Sequence, residues 1–589
     1  MHKESNIQMI SKLLFRLLPI QILLSMVNCV NAIVSSLFAS NMVGAEAMGA
    51  VGLYGPFNLF IGSVSLVLVG GSQLLASKYI GKNENEKTQG VFSLNLLLSL
   101  LVAGVMILLH ILIPAAGLTK IFTPDPSVQH IFGQYMLGQA VGLIPLVAGG
   151  QLSAFLSLEN QTKRVTAAGL SFIAANVILN YLFVAVLKME AFGLALASSL
   201  GMWVFLIVLA QYYFTGRSLL KLNLRLMNGK ETGNILRIGY PGALSQMYQT
   251  IRGFIVNGLL TAFIGAAGIS AFAAANTLMG FAWTIPAGML NVSRMMIGVS
   301  VGEEDRQTLT DIMRNMFLRF LPLMASVCAL IILCAKPLAG LYYKDTASSV
   351  YQMTVWGFRI LPLCMPFSII CMHFVCYAQV SDKQVLVQIL SFLDGVACVA
   401  GFSALLVPVI GIKGVYIANV LNGVVTTITI IVYAWVRKKK FPTNMEELMV
   451  IPEDFGVPEE ERMDLSIRSM EEVVSISRQI QDFCLSKGID PRRSMLAGLS
   501  MEEMAGNIVD HGFTKDRKKH SVDVRVVHKE NDVILRIKDD CVPFDPMERQ
   551  KMTDASDPAK NIGIRMIFRM AEKITHQNIL GLNVLTIRV

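Results

Sequence analysis

The run MEEMAGNIVDHGF places Glu503, Asn507 and His511 at i, i+4 and i+8, so a helix through them carries all three on one face and ends at Gly512. A carboxylate beside a carboxamide on one face suits phosphoryl transfer, with Glu503 as base for an acceptor hydroxyl and Asn507 as an oxygen ligand for Mg²⁺. Alone, such a stripe is the ordinary solvated face of a helix. Three further segments strengthen it. VILRIKDDCVPFDP sets Asp539 at a strand end, NIGIRMIFRMAEKI puts Gly563 and Ile564 at a helix start where free backbone N–H groups can receive phosphate, and GLNVLTIRV closes the chain as a strand.

A second set of residues stands in apolar surroundings. Asp394 lies about ten residues into its apolar run, roughly 15 Å at ~1.5 Å per residue, close to mid-membrane depth. By the same count Arg252 and Arg359 fall nearer the far surface. Ionisable groups in a bilayer are costly and are functional candidates by default. Asp394 reads as a cation or proton site, as a fixed counter-ion to Arg252 or Arg359, or as half of a static buried pair. His110 and His373 read first as satisfied polar groups. Pro19, Pro145, Pro241, Pro286, Pro362 and Pro366 interrupt apolar runs and read as kinks. Phe281, Trp283, Met289 and Met295 can pack a core or line an adaptable cavity.

The elements that position these residues divide the chain. Of 589 residues, 53% are hydrophobic and 15% charged, the balance of a membrane protein. Up to Lys440 there are about 29 basic and 15 acidic side chains, and beyond it about 21 and 26. The high pI therefore belongs to the apolar part, which excludes a nucleic-acid reading. Runs of about 20 apolar residues, enough to cross roughly 30 Å of hydrocarbon, predict twelve spans near 13–39, 50–76, 91–115, 131–157, 165–187, 191–214, 238–263, 271–300, 315–340, 351–379, 385–409 and 412–436. The first reads as a span and not as a cleavable signal. Lys78, Lys82 and Lys87, then Lys163 and Arg164, then Arg217 to Lys230, Arg306, Lys383 and Arg437 to Lys440 share one side. The positive-inside rule makes that side and both termini cytoplasmic, in an inner (plasma) membrane.

Landmarks recur at one offset of 221 residues: Gly44 and Gly265, Gly81 and Gly302, Pro145 and Pro366, Gly193 and Gly414. Residues 1–220 and 221–440 are therefore two parallel six-helix repeats about an axis along the membrane normal, with a central cavity suited to alternating access. Residues 441–464 are acidic and proline-punctuated, a linker with at most one short strand. Residues 465–589 show the pattern of an α/β two-layer domain: helices near 469–486, 491–511 and 561–572, strands near 521–528 and 532–538, and two closing strands. The nine cysteines have no metal-ligand spacing, and no GxxxxGK[ST] loop marks an ATP-driven pump.

The stretch VNAIVSSLFASNMVGAEAMGAVGL, the SKYIGKNENEK glycine, the Asn176 to Gly201 stretch and the 6+6 repeat resemble the multidrug and toxic compound extrusion (MATE) family over residues 10–437. That resemblance implies export of amphipathic or cationic small molecules coupled to H⁺ or Na⁺. Where family members commonly carry acids, this chain has Ser35 and Asn180, which can hydrogen-bond a substrate or hydrated ion without titrating near neutral pH. Residues 465–589 resemble the ATP-binding domain of anti-sigma-factor serine kinases, relatives of the histidine-kinase and Hsp90 ATPases. The resemblance implies ATP and Mg²⁺ with Glu503 as catalytic base, Asn507 as metal ligand, Asp539 as acceptor for the adenine amino group, and Gly563 with Ile564 at the phosphates below a lid at 552–562. Cys541 and Asn561 stand where glycines are usual. Three functions follow: an exporter with a nucleotide-binding regulatory domain, a membrane sensor whose kinase-like domain phosphorylates or sequesters a cytosolic anti-anti-sigma-like partner, or a flippase for lipid-linked substrates.

Overall fold

The computed structural model describes residues 11–23, 25–26, 45–121, 126–215, 218, 220–513, 520–529, 532–542, 562–579 and 581–589. In hydrocarbon every backbone polar group must be satisfied internally, and the described residues up to 440 are almost entirely helical. Helices occupy every predicted span as far as it is described; about half of the first, residues 24 and 27–39, lies outside the described residues. Among the described residues eight helices, or nine when a pair bent by 43° at residues 141–142 is taken as one, are long and apolar enough to cross a membrane. Among the described residues three spans contain a π-helical turn, at Tyr181–Val186, Met316–Phe320 and Leu393–Ala397. Pro241 and Pro286 lie inside helices, while Pro362 and Pro366 stand at a 3₁₀ break in the tenth span.

The halves meet where α1 (Ala45–Gly81) packs on α2 (Lys230–Phe263) and α3 (Ala266–Gly302). Glycine lets the backbones touch there. A Cβ on Gly71 would overlap the Ile235 carbonyl, one on Gly239 the Val67 carbonyl, and one on Gly302 the Lys78 carbonyl. Gly81 faces Val299 and Gly302 in the same way. The repeat-related pair Gly81 and Gly302 thus lies in mutual contact at the pseudo-two-fold axis. The turns that follow are equivalent too, with positive φ at Asn83 (61°) and at Glu304 (53°). The connection between halves is pinned to the first half: the Glu159 carboxylate accepts from Leu220 N–H (2.9 Å) and Ser218 Oγ, and Asn223 N–H donates to Ser93 Oγ.

The linker is a packed strap. Met449 and Ile451 are buried in the core of the helical part. Lys383 Nζ donates to the Met449 and Val450 carbonyls (2.7 and 2.6 Å), and the Arg306 guanidinium donates to those of Pro452, Glu453 and Phe455. The C-terminal domain follows as one antiparallel sheet in the order β1-β2-β3-β5-β4, with β1 Arg462–Ile467, β2 Val522–Lys529, β3 Asp532–Asp539, β4 Lys573–Ile579 and β5 Leu582–Arg588. Its first strand begins three residues before the predicted domain boundary. Period-2 alternation turns Val522, Val524, Val526, Val533, Leu535 and Ile537 toward α4 (Met470–Ser486), α5 (Pro491–Asn507) and α6 (Ile562–Met570). The opposite face meets the helical part, presenting Arg525, Arg536, Lys538 and Gln577 to it and burying Val584 in its apolar core.

Gly280 and Gly302 lie on one helix, but a Cβ on Gly280 meets nothing within 4 Å. Gly302→Val should cost roughly 1–3 kcal/mol of overpacking and lower the unfolding temperature of the purified protein by several degrees. Gly280→Val should stay near wild type in the same scan.

Candidate functional site

In the helical part, Asp394 lies in the π turn Leu393–Ala397, a distortion that often marks functional positions. Gly395 lets this turn approach α2, where a Cβ would come within 2.5 Å of Tyr248 Cβ. Asn422 Nδ2 donates to Asp394 Oδ1 (2.8 Å), and Arg252 Nη1 donates to the Asp394 main-chain carbonyl (3.2 Å). Arg252 and Asp394 are therefore neighbours, joined through the backbone and not carboxylate to guanidinium. Arg359 is elsewhere, over the Trp356 ring that Lys413 also covers.

In the first half Asn180 is fully buried, and its Nδ2 donates to the Asn176 carbonyl (2.9 Å) and to the Asn176 side chain. Its Oδ1 has no hydrogen-bond partner. Ser35 lies outside the described residues. Both histidines are saturated: His110 with Tyr54 OH (2.9 Å) and the Met106 carbonyl, His373 with Ser293 Oγ (2.8 Å) and the Ile369 carbonyl. Met289 and Met295 are core residues.

In the C-terminal domain, α5 carries Glu503 and Asn507 and runs into a π turn at Ile508–Gly512. Asn507 Nδ2 donates to the Glu503 carbonyl, which leaves the carboxamide oxygen for a cation. His511 turns to Asp510, 3.5 Å away. Asp539 ends β3, buried, and its Oδ1 accepts from Asn583 Nδ2 (2.8 Å) and Cys541 N–H (3.0 Å). Burial pushes its carboxyl above the usual range, and the Asn583 amide opposes that. Gly563 and Ile564 lie in the first turn of α6. Asn561 and the predicted lid, apart from residue 562, lie outside the described residues.

The donor set fits Mg-nucleotide, with a buried acceptor at a strand end and a carboxylate and carboxamide on one helix. The buried Cys541 narrows the site: a Cβ on Gly512 would come within 3.0 Å of its thiol. Asp540 accepts from His520 Nδ1 (2.9 Å) and pairs with Lys12 (2.5 Å). His520, Asp540 and Cys541 form the one group of three potential metal ligands within 4.8 Å among the described residues. The carboxylate is already engaged by Lys12 and His520.

Sequence reasoning missed Glu303, Glu304, Asp305, Arg525, Arg536 and Lys538, which join the domain to the helical part. The legible signal was a run of three acids after Gly302 and three basic residues at alternating strand positions.

The MatE family profile matches residues 19–182 and 241–397, and that of the histidine kinase-like ATPase domain matches 468–589. A Halalkalibacterium halodurans protein described as a probable multidrug resistance protein NorM is 24% identical over 336 residues, 55% of this chain and 71% of that one. Among solved structures, an outward-facing multidrug resistance MATE family transporter of the MOP superfamily aligns with a TM-score of 0.67 at 22% identity, over 74% of this chain and 96% of its own. A mutant of the Vibrio cholerae MATE transporter VcmN aligns with a TM-score of 0.68 at 19% identity, over 74% and 99%. At these identities the structures establish a common fold.

The raised Asp539 carboxyl favours its protonated form in the fold, so the stability linked to it is present at low pH and lost as pH rises through the folded value. Removing the Asn583 amide raises that value further. Asn583→Ala should cost about 1–3 kcal/mol at pH 7.5 and less at pH 5, measured by denaturant unfolding of the domain signal.

Proposed function

Since the chain belongs to the MATE family of transporters and ends in a histidine kinase-like ATPase domain, we propose that it is a secondary active exporter of amphipathic or cationic small molecules whose C-terminal domain binds nucleotide and regulates transport. The observation that carries this reading is the join between the halves: equivalent glycines in contact on the axis, at the ends that face the C-terminal domain. Two repeats hinged about such a seam can expose a central site to either side of the membrane in turn. By the basic connections the sealed end is cytoplasmic, and the domain and both termini lie on that side.

Coupling would use H⁺ or Na⁺. With Ser35 and Asn180 in place of acids, the second half carries it: Asp394 takes up and releases the ion, and Asn422 orients its carboxylate. Arg252 holds the π turn through the backbone and leaves the carboxylate for the ion.

At the C-terminal site, Asp539 would accept from the adenine amino group, Asn507 hold Mg²⁺ by its oxygen, and Gly563 with Ile564 offer backbone N–H groups to phosphate. ATP, when bound, supplies a transferable phosphoryl group. Glu503 is then placed to take the proton of an acceptor hydroxyl, on a partner protein if the domain acts as a serine kinase. That sensor reading gains from one observation: the domain is bound tightly to the helical part, so a change in either can be read by the other.

Two measurements test these roles. Titration of the full-length protein with Mg-ATP should show binding that Asp539→Asn weakens at least about tenfold, as expected when about 1.4 kcal/mol of contact is lost. An absence of binding by wild type would reduce the domain to a docking module. In proteoliposomes, Asp394→Asn should abolish ion-gradient-driven efflux, and unchanged efflux removes the coupling role.

A further inference from the structure

The outer face of the sheet holds both halves at once. On the second half, the turn after α3 presents Glu303 and Asp305, whose side chains are 2% and 3% exposed. Lys538 Nζ lies 2.7 Å from Glu303 Oε2 and 3.8 Å from Asp305 Oδ2, Arg536 lies 3.5 Å from Glu303, and Arg525 pairs with Asp305. Burial alone would raise the Asp305 carboxyl, but Arg525 and Lys538 hold it well below the usual carboxylate range. On the first half, the equivalent turn after α1 is held by β4: Gln577 Nε2 donates to Asn83 Oδ1 (2.8 Å) and Asn85 Oδ1 (2.7 Å), and Asn83 donates to Thr575 Oγ1.

These turns cap the helices whose ends meet at Gly81 and Gly302, so parting the halves at this end means parting the turns. One hydrogen-bonded sheet spans both and cannot lengthen to follow. Between the turns and the sheet stays a cavity of about 330 Å³ that Lys82, Arg462 and Lys529 help to line, so at the turns the two parts are joined by bonds between side chains, while Val584 of β5 adds an apolar contact with the helical core. The two grips differ in kind. Charges buried in pairs are strongly penalised when separated, whereas the amide hydrogen bonds on the first half, and the Lys12–Asp540 pair whose lysine is 54% exposed, exchange for water at little net cost.

We infer that the outer face of the sheet is a clasp surface that holds the sealed ends of the two halves together, remaining on the second half through Glu303 and Asp305 and releasing the first half at Asn83 and Asn85. This goes beyond efflux and nucleotide binding, and resting on the two-halves reading alone it can be tested without substrate or nucleotide. Lys538 and Asp539 are consecutive on β3 and point to opposite faces, so the clasp and the nucleotide-side acceptor share one strand.

The test uses full-length protein in nanodiscs carrying Ser77→Cys, a fully buried position at the seam against Gly298, with maleimide labelling as the readout of seam opening. In this background labelling should be slow. Gln577→Ala, which weakens only the grip on the first half, should speed it about tenfold, the change produced by ~1.4 kcal/mol in the closed-to-open equilibrium. Lys538→Glu should speed it at least as much, and adding Glu303→Lys to it should restore slow labelling, which a general folding defect would not. Unchanged labelling in both single variants overturns the clasp. A response to Lys538→Glu but not to Gln577→Ala overturns the order of release. Loss of efflux or of ATP binding with intact labelling responses would refute the proposed function and leave the clasp standing.

Discussion

In a protein built from two repeats about an axis, equivalent residues can touch each other only on that axis, and only if they are small enough for two backbones to meet. Gly81 and Gly302 satisfy this constraint. Their contact fixes how close α1 and α3 come, and therefore where the turns at 82–84 and 303–305 sit. The C-terminal sheet is laid across both turns, so its position is inherited from the glycine contact. Gly71 and Gly239 extend the same close approach along α1 and α2 and make the seam a line.

The second governing fact is that a charge taken out of water must be met by another. Glu303 and Asp305 follow a hydrophobic helix and are covered by a sheet, which is tolerable only because Arg525, Arg536 and Lys538 project from alternate positions of β2 and β3 onto them. Burial of the strands' other face against α4, α5 and α6 sets the register that aims these side chains. A shift of one residue would turn them into the apolar layer.

Much of this was legible in the sequence. Long apolar runs place the helices, the 221-residue offset finds the repeat, and the alternation from Val522 to Lys538 draws the central strands. The π turn around Asp394 was not legible, because an extra residue in a helical turn leaves the apolar pattern intact. Depth alone made Arg252 and Arg359 equivalent candidates, and packing separated them: Gly395 admits α2 and brings Arg252 to the π turn, while Arg359 lies on Trp356. The acidic linker did not read as a packed strap because the bonds that Lys383 and Arg306 make to it go largely to main-chain carbonyls, which carry no residue-type signal. The docking face was hidden for a related reason. Basic residues alternating with apolar ones describe a solvated sheet face as well as a buried one.

The strap from 441 to 461 has a consequence for concentration. Arg306 and Lys383, both on the second half, grip its carbonyls, so the domain is leashed a few residues from its docking place. Detachment from the first half is then an intramolecular event. Rebinding is driven by an effective local concentration on the order of millimolar for so short a leash. The fraction of docked molecules is in consequence independent of how much protein the membrane holds, and a soluble competitor for the sheet face has to outbid a neighbour that never leaves.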